Sequence, residues 1–275
     1  VSAQVHSVPV DVPAAPCEVA VGRARPALRG LVTGYSGFRS GTGAPIAHRL
    51  LALPSTTLII DFASPSGVVT GPRAQASTAG DTTWAQGVSV GLTPAGVVAL
   101  FGVPMGDLAG VTVPLSELLG PNATELPGRL AAEPDWESRF DLLDLTLGAL
   151  ACRVESRVDP VVVQAWRRLQ EDGAPRAGEV AAALGVTRRR LEREFRRDVG
   201  VSPGQVRRIA RFQRAAGELG RGVELAVAAA GTGYVDQPHL SREVRALAGV
   251  TPAELQVLFL QAGAHLYKTG ARPAT

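Results

Sequence analysis

The chain has 275 residues, room for one or two domains with a real core, and its 45% apolar and 19% charged content is that of a folded protein. No apolar run is long enough to span a bilayer. Two cysteines (Cys17, Cys152) make no disulfide framework, and the scattered His6, His48, His239 and His265 have no metal-ligand spacing, so no cofactor is expected. The net charge of +3 is unevenly spread: residues 160–261 hold sixteen arginines against eleven acidic groups and residues 1–159 ten against fourteen, which points to a polyanion-binding C-terminal part.

In chain order, Pro9, Asp11, Pro13 and Pro16 stand where an export signal needs an unbroken apolar stretch. This segment reads as an irregular lead-in, and the expected location is the cytoplasm, in association with the nucleoid. Residues 49–53 and 57–62 are apolar and partly β-branched, and Pro54-Ser55 between them predicts two strands joined by a turn. Gly87–Leu92 is a third strand. Thr93 then caps a short helix with Pro94 in its first position, reaching Phe101, and residues 113–119 close the region with a helical turn. Trp136, Phe140, Leu143, Leu147 and Leu150 line one face of a helix over 135–153, a stripe best explained as core. His48, Arg49, Asp61 and Trp84 are candidates to line a pocket, although each is more simply a structural residue.

A boundary is expected near Ser156–Pro160. Asp159 caps the next helix, with Pro160 first, Val162, Trp166 and Leu169 inward, and Gly173 as its stop. Everything onward to about Leu260 reads as helix between Gly or Pro punctuation. The predicted class is α+β: a mixed N-terminal domain with short strands over 1–158, an all-α domain over 159–262, and a flexible tail over 263–275.

Within the helical part, Glu179–Leu184 is a short helix, Gly185-Val186 a turn, and Thr187 the cap of a second helix anchored by Leu191 and Phe195. Arg188, Arg189, Glu192, Arg193 and Arg196 face the other way. Arginine grips guanine bidentately and glutamate accepts from cytosine, so this face suits a major groove. A solvated, salt-bridged surface helix has the same composition; the preceding helix, the glycine turn and the cap weigh against that simpler account.

About fifty residues on the arrangement returns. Leu225–Ala230 is a short helix, residues 231–234 form the turn, and Asp236 to about Ala246 forms the second helix, with Leu240 and Val244 inward. Gln237, His239, Ser241 and Arg242 face outward, with Arg245 toward phosphate. Both units end in a similar tag, Gly200-Val-Ser-Pro203 and Gly249-Val-Thr-Pro252. Between them Ile209, Phe212, Ala216 and Leu219 mark one linker helix whose other faces carry Arg207, Arg208, Arg211 and Arg214.

These motifs resemble the DNA-binding domain of AraC/XylS-type transcriptional regulators. The residues that carry the likeness are Glu179-Val-Ala-Ala-Ala-Leu-Gly185-Val-Thr187 with Arg189, Leu191, Arg193 and Phe195, then Gly233-Tyr234, Asp236-Gln237 and His239-Leu240-Ser241-Arg242, with both tags. The resemblance covers about a third of the chain. It implies two recognition helices, held by the linker helix, in successive major grooves. Base reading then falls to Arg189, Glu192, Arg193, Gln237, Pro238, His239, Ser241 and Arg242, and backbone contact to Arg188, Arg196, Arg207, Arg208, Arg211 and Arg245. Val235 stands where a capping residue is usual, Pro238 where Ser or Gln is, and Val244 where Phe is. These departures predict a weaker cap and core in the second unit. The stretch 92–109 with Val113-Pro-Leu is similar to the N-terminal domain of an actinobacterial-type set of such regulators, in which that domain senses a small molecule or mediates dimerisation. Expected partners are therefore double-stranded DNA, a small-molecule effector, RNA polymerase and a second copy of the chain, with no membrane. Two alternatives stay open: a DNA-repair or other enzyme carrying such a module, for which neither Cys17 nor Cys152 has an adjacent base, and a helical protein-interaction module that has lost DNA binding.

Overall fold

The computed structural model describes residues 4–63, 67–79, 82–151, 158–262 and 266–267. The first half is built from strands: β1 (Gln4–Val5), β2 (Ser7–Pro9), β3 (Glu18–Gly22), β4 (Val32–Arg39), β5 (Ile46–Leu50), β6 (Thr56–Asp61), β7 (Val68–Thr70), β8 (Thr83–Trp84) and β9 (Gln86–Leu92). Then come α1 (Pro94–Phe101), β10 (Thr112–Pro114), α2 (Leu115–Leu119), α3 (Glu125–Ala132) and α4 (Trp136–Ala151). Among the described residues one antiparallel sheet runs β10-β7-β6-β9-β4-β3, and a smaller one runs β2-β5-β8. The second half is helical: α5 (Pro160–Arg168), α6 (Ala177–Ala183), α7 (Arg188–Asp198), α8 (Pro203–Gly220), α9 (Leu225–Gly231), α10 (Gln237–Ala248) and α11 (Pro252–Ala262), with a last strand β11 (Leu266–Tyr267). The α+β reading holds.

Local chemistry sets several boundaries. Thr93 accepts from the Gly96 N–H at 3.0 Å to start α1 behind Pro94, and Asp159 accepts from the Val161 N–H at 2.8 Å to start α5 behind Pro160. Each cap satisfies an amide that the helix leaves open, worth about 1 kcal/mol. α4 packs by Leu143 and Leu147, while its buried Asp144 accepts from the Tyr35 hydroxyl at 2.7 Å and the Arg25 N–H at 3.1 Å. Trp136 and Phe140 lie directly over Gly37 of β4 and Gly22 of β3, where a Cβ would fall 2.3 and 2.4 Å from the rings.

Three expectations are corrected. The apolar runs on either side of Pro54-Ser55 do not pair: β5 bonds β2 and β8, while β6 bonds β7 and β9. Residues 51–55 carry the chain from one sheet to the other instead of turning it back. The proline-rich lead-in contains β1, β2 and β3, with Val5 and Val8 fully buried; proline at Pro9 ends a strand without costing a ladder bond. In the expected tail, Leu266–Tyr267 pairs antiparallel with Gln4–Val5. The expected boundary at Ser156 and the helix end at 152–153 lie outside the described residues.

The two halves share their cores. One apolar cluster joins the large sheet, α1 and α4 to Val162, Trp166, Leu191 and Phe195. The other joins Val5, Val8, Leu51 and Ala52 to Phe212, Tyr234, Leu240, Val244 and Phe259. Polar bonds cross as well. Gln213, in the middle of α8 and 1% exposed, accepts from the Val5 N–H at 2.6 Å and donates to the Val5 and Ala52 carbonyls at 3.0 and 2.7 Å. The Trp166 indole donates to the Pro54 carbonyl at 2.9 Å, and the Ala52 N–H to the Leu247 carbonyl at 2.9 Å.

Candidate nucleic-acid interface

Each half of the helical region is a short helix, a turn and a capped second helix. In the first, Glu179 accepts from the Arg176 N–H at 2.8 Å at the start of α6. Gly185, at φ +70°, turns the chain where a side chain would be strained, and Thr187 accepts from the Arg190 N–H at 3.2 Å to open α7. In the second, Gly233 (φ +77°) follows α9, and Asp236 accepts from the His239 N–H at 2.7 Å to open α10. The weaker cap expected here is not observed: Val235 is 87% exposed and Asp236 does the capping. Nor is the core incomplete. Leu240, Val244, Leu247 and Ala248 are all buried, in one apolar cluster with Val5, Val8 and Leu51 of the N-terminal half.

From the caps onward the two units are in register. Leu191 and Phe195 correspond to Leu240 and Val244; Arg193 corresponds to Arg242 and Arg196 to Arg245. All four of these arginines are exposed, Arg193 with 76% of its side chain in solvent. The tags repeat too: Ser202 and Gln205 cap each other at the start of α8, as Thr251 and Glu254 do at the start of α11.

The base-reading candidates fall on two faces. Arg189 and Arg193 are exposed on α7, where Glu192 is half-buried and accepts from Arg188 Nε at 2.8 Å. On α10, Gln237, Pro238 and Arg242 are exposed, Ser241 is half-buried, and the His239 ring meets Tyr234 edge-on at 5.1 Å. Among the backbone candidates Arg188, Arg196, Arg207 and Arg245 are exposed. Arg208 and Arg211 are engaged within the protein. Arg208 forks onto Glu243 of α10 at 2.8 and 2.9 Å, and Arg211 lies 3.6 Å from the same carboxylate and 4.3 Å above the Tyr234 ring. Burial alone raises the Glu243 carboxyl, but the hydrogen bond and charge of Arg208, aided by Arg211, hold it below the ordinary glutamate range.

Sequence reasoning passed over three residues. Glu194 and Glu243 occupy the same register position, each mostly buried and bound to arginine: Glu194 to Arg190 at 2.7 Å, which also reaches Asp159 at 2.9 Å. A buried acid at one place in both repeats was the available signal. Gln213 gave none, because its partners lie 208 positions away at Val5 and 161 away at Ala52.

In the N-terminal half, His48, Arg49, Asp61 and Trp84 are largely engaged in local structural contacts among the described residues. His48 stacks on Trp84 at 4.9 Å, and burial lowers its pKa to about 4. Asp61 binds the Ala63 and Ala85 N–H groups at 2.8 and 3.0 Å. A cavity of about 400 Å³ lies elsewhere, between residues 72–77 and the Gly200-Val201 tag. Arg73 on its wall is 7% exposed, has a buried Nη2 without a hydrogen bond among the described residues, and is pushed down to about 10 by burial. No helix among the described residues is long and apolar enough to cross a membrane, and none of their His, Cys, Asp and Glu side chains group as a metal site. Cys17 is half-buried; Cys152 lies outside the described residues.

Residues 180–256 match the family model of a helix-turn-helix domain. No curated protein matches the chain. Among solved structures, the C-terminal domain of AraT, a response regulator from Geobacillus stearothermophilus, is 25% identical over 37% of this chain and 87% of its own, with a TM-score of 0.34. ToxT from Vibrio cholerae is 12% identical over 94% of this chain and 99% of its own, at 0.44; the unsaturated-fatty-acid-bound ToxT is 11% identical over 95% and 96%, at 0.42. These overall likenesses are loose; the family match is local and falls on the repeat just described. The match identifies residues 180–256 as a helix-turn-helix domain.

Proposed function

We propose that the chain is a sequence-specific, DNA-binding transcriptional regulator whose base readers are α7 and α10. The observation that carries this is the register of the two capped helices, which puts exposed arginines at the same two positions of each. Arg193 and Arg242 are assigned to base edges, together with Arg189, Glu192, Gln237, Pro238, His239 and Ser241. Arg188, Arg196, Arg207 and Arg245 supply salt-dependent phosphate contact. Arg208 and Arg211 would reach phosphate only by sharing their guanidinium groups with Glu243.

The N-terminal half is assigned an effector-sensing role. What supports it is the cavity at Arg73, which touches the tag following α7, and the hydrogen bond from Ala52 to the last turn of α10. A ligand that shifts this half therefore bears on both readers. RNA polymerase and a second copy of the chain are the further partners of this reading.

Selection of duplexes from a random pool by the full chain is the test. The expected result is an enriched site with two elements about 10 base pairs apart, the spacing of adjacent major grooves on one DNA face. Footprints with and without candidate metabolites then test the effector. No enrichment, and no shift of any duplex at low salt by folded protein, would overturn the assignment.

A further inference from the structure

A second concave site lies between the two units. The loop before α6 (Asp172–Ala174), the exposed face of α8 and the turn after α9 (Gly231–Gly233) enclose a cavity of about 210 Å³. Four guanidinium groups line it, from Arg207, Arg208, Arg211 and Arg214. Helical spacing brings 207, 211 and 214 onto one stripe, with 208 beside it.

The charges in this recess do not balance. Among the described residues the carboxylates paired with these arginines are Glu243, shared by Arg208 and Arg211 from outside the lining, and Asp172, which is 85% exposed and 3.5 Å from Arg214 Nε. Arg207 has no carboxylate among its described partners; its Nε donates to the Ala174 carbonyl at 2.8 Å. The Arg214 side chain is only 15% exposed and donates to the Gln170 and Glu171 carbonyls at 3.3 and 3.2 Å. The Nε atoms of Arg211 and Arg214 are buried with no hydrogen-bond partner among the described residues. Burial, opposed by Asp172 and assisted by the like charges of Arg211 and Arg207, lowers the Arg214 guanidinium from its ordinary value.

Four planar cations crowded into a recess with two carboxylates repel one another unless an anion enters. Guanidinium groups match tetrahedral oxyanions through paired N–H donors, which a chloride ion cannot satisfy. We propose that this cavity is an oxyanion site that takes a phosphate group. That group is either borne by a small anion or belongs to a DNA backbone. Because the walls come from the α5–α6 loop, the linker helix and the α9–α10 turn, the bound group clamps the first unit to the second. The site stands on its own geometry and does not require the DNA-binding assignment.

The probe is inorganic phosphate, titrated into the full chain in chloride buffer at constant ionic strength and followed by calorimetry and melting temperature. Saturable binding is expected, with a rise in melting temperature that matched chloride does not give. Arg211→Gln and Arg207→Gln should each weaken it at least about tenfold, whereas Arg221→Gln, outside the cavity, should not. Arg207 sits at the exposed mouth, so that variant keeps the test open if Arg211→Gln does not fold. A mixed-sequence duplex in the same buffers separates the two sources. If phosphate lowers duplex affinity beyond matched chloride, and Arg207→Gln removes the difference, the group is a backbone phosphate. If phosphate and duplex bind independently, it is a free phosphate-bearing anion. Phosphate binding without any duplex binding would remove the DNA-binding assignment and leave this site standing. A phosphate response no different from chloride, or one unchanged in both cavity variants, overturns the proposal.

Discussion

The two helix-turn-helix units share a register and differ in what completes them. The first is finished by its own large side chain: Phe195 fills the core that α5, α6 and the sheet enclose. The second has the smaller Val244 at the same position, in a cluster that includes Val5, Val8, Leu51 and Ala52. Their buried glutamates differ likewise. Glu194 is held by Arg190 of its own helix, while Glu243 is held by Arg208 and Arg211 of the linker. Both apolar cores are thus completed by the N-terminal half; the units differ in where the arginines on the buried glutamate come from, the same helix in the first and the linker in the second. A residue's size at one repeat position says little about core quality until its neighbours are known.

The largest effect expected from this contrast is on stability. Phe195→Ala should lower the free energy of unfolding in urea by about 3–5 kcal/mol, and Val244→Ala by about 2 kcal/mol. Equal losses would mean that Val244 carries as much of its core as Phe195 does of its own. Next in size is base reading. Arg193→Ala and Arg242→Ala should each cost about 1–3 kcal/mol of discrimination, confined to one element of the selected site. Equal losses on cognate and random duplex would remove that arginine from base reading and leave it a phosphate contact. Glu243→Gln should cost about 1–2 kcal/mol of stability while releasing Arg208 and Arg211, so its duplex binding should become steeper in salt. Glu194→Gln, which loosens Arg193 at 3.9 Å and Arg190, itself still tied to Asp159, should leave the salt slope nearer that of the parent chain. The smallest effects are at the caps: Thr187→Ala and Asp236→Ala should each cost about 1 kcal/mol in thermal unfolding. A negligible change for Asp236→Ala would restore the sequence's expectation that the second unit is poorly capped.

The helical half was legible because its signals are local. Caps at Asp159 and Thr187, punctuating glycines and a four-residue spacing of apolar positions each act within a turn or two; the cap at Asp236 was missed because Val235 beside it stands where a capping residue is usual. The strands were legible only where β-branched residues cluster, as in β6 and β9. β4 was passed over although it is central and mostly buried, because Val32–Arg39 contains two glycines and no period-two alternation. Gly37 is there to admit Trp136 onto the sheet, a reason located about a hundred residues away. The outward arginines of the candidate interface were readable from helix phase alone. Which of them are already engaged was not, since the Arg208–Glu243 pair spans thirty-five positions and no periodicity connects them.

The buried amide of Gln213 bears on how the two readers are held. Its described hydrogen bonds all go to residues 5 and 52, so the linker helix depends on a strand at the far end of the chain. That strand behaves as a peptide ligand tethered to its own receptor, present at a high effective concentration and never diluted away. Its departure would leave buried polar groups unmet, at a cost of about 1–3 kcal/mol for each. Because one helix carries both units, loosening these bonds would reach both at once.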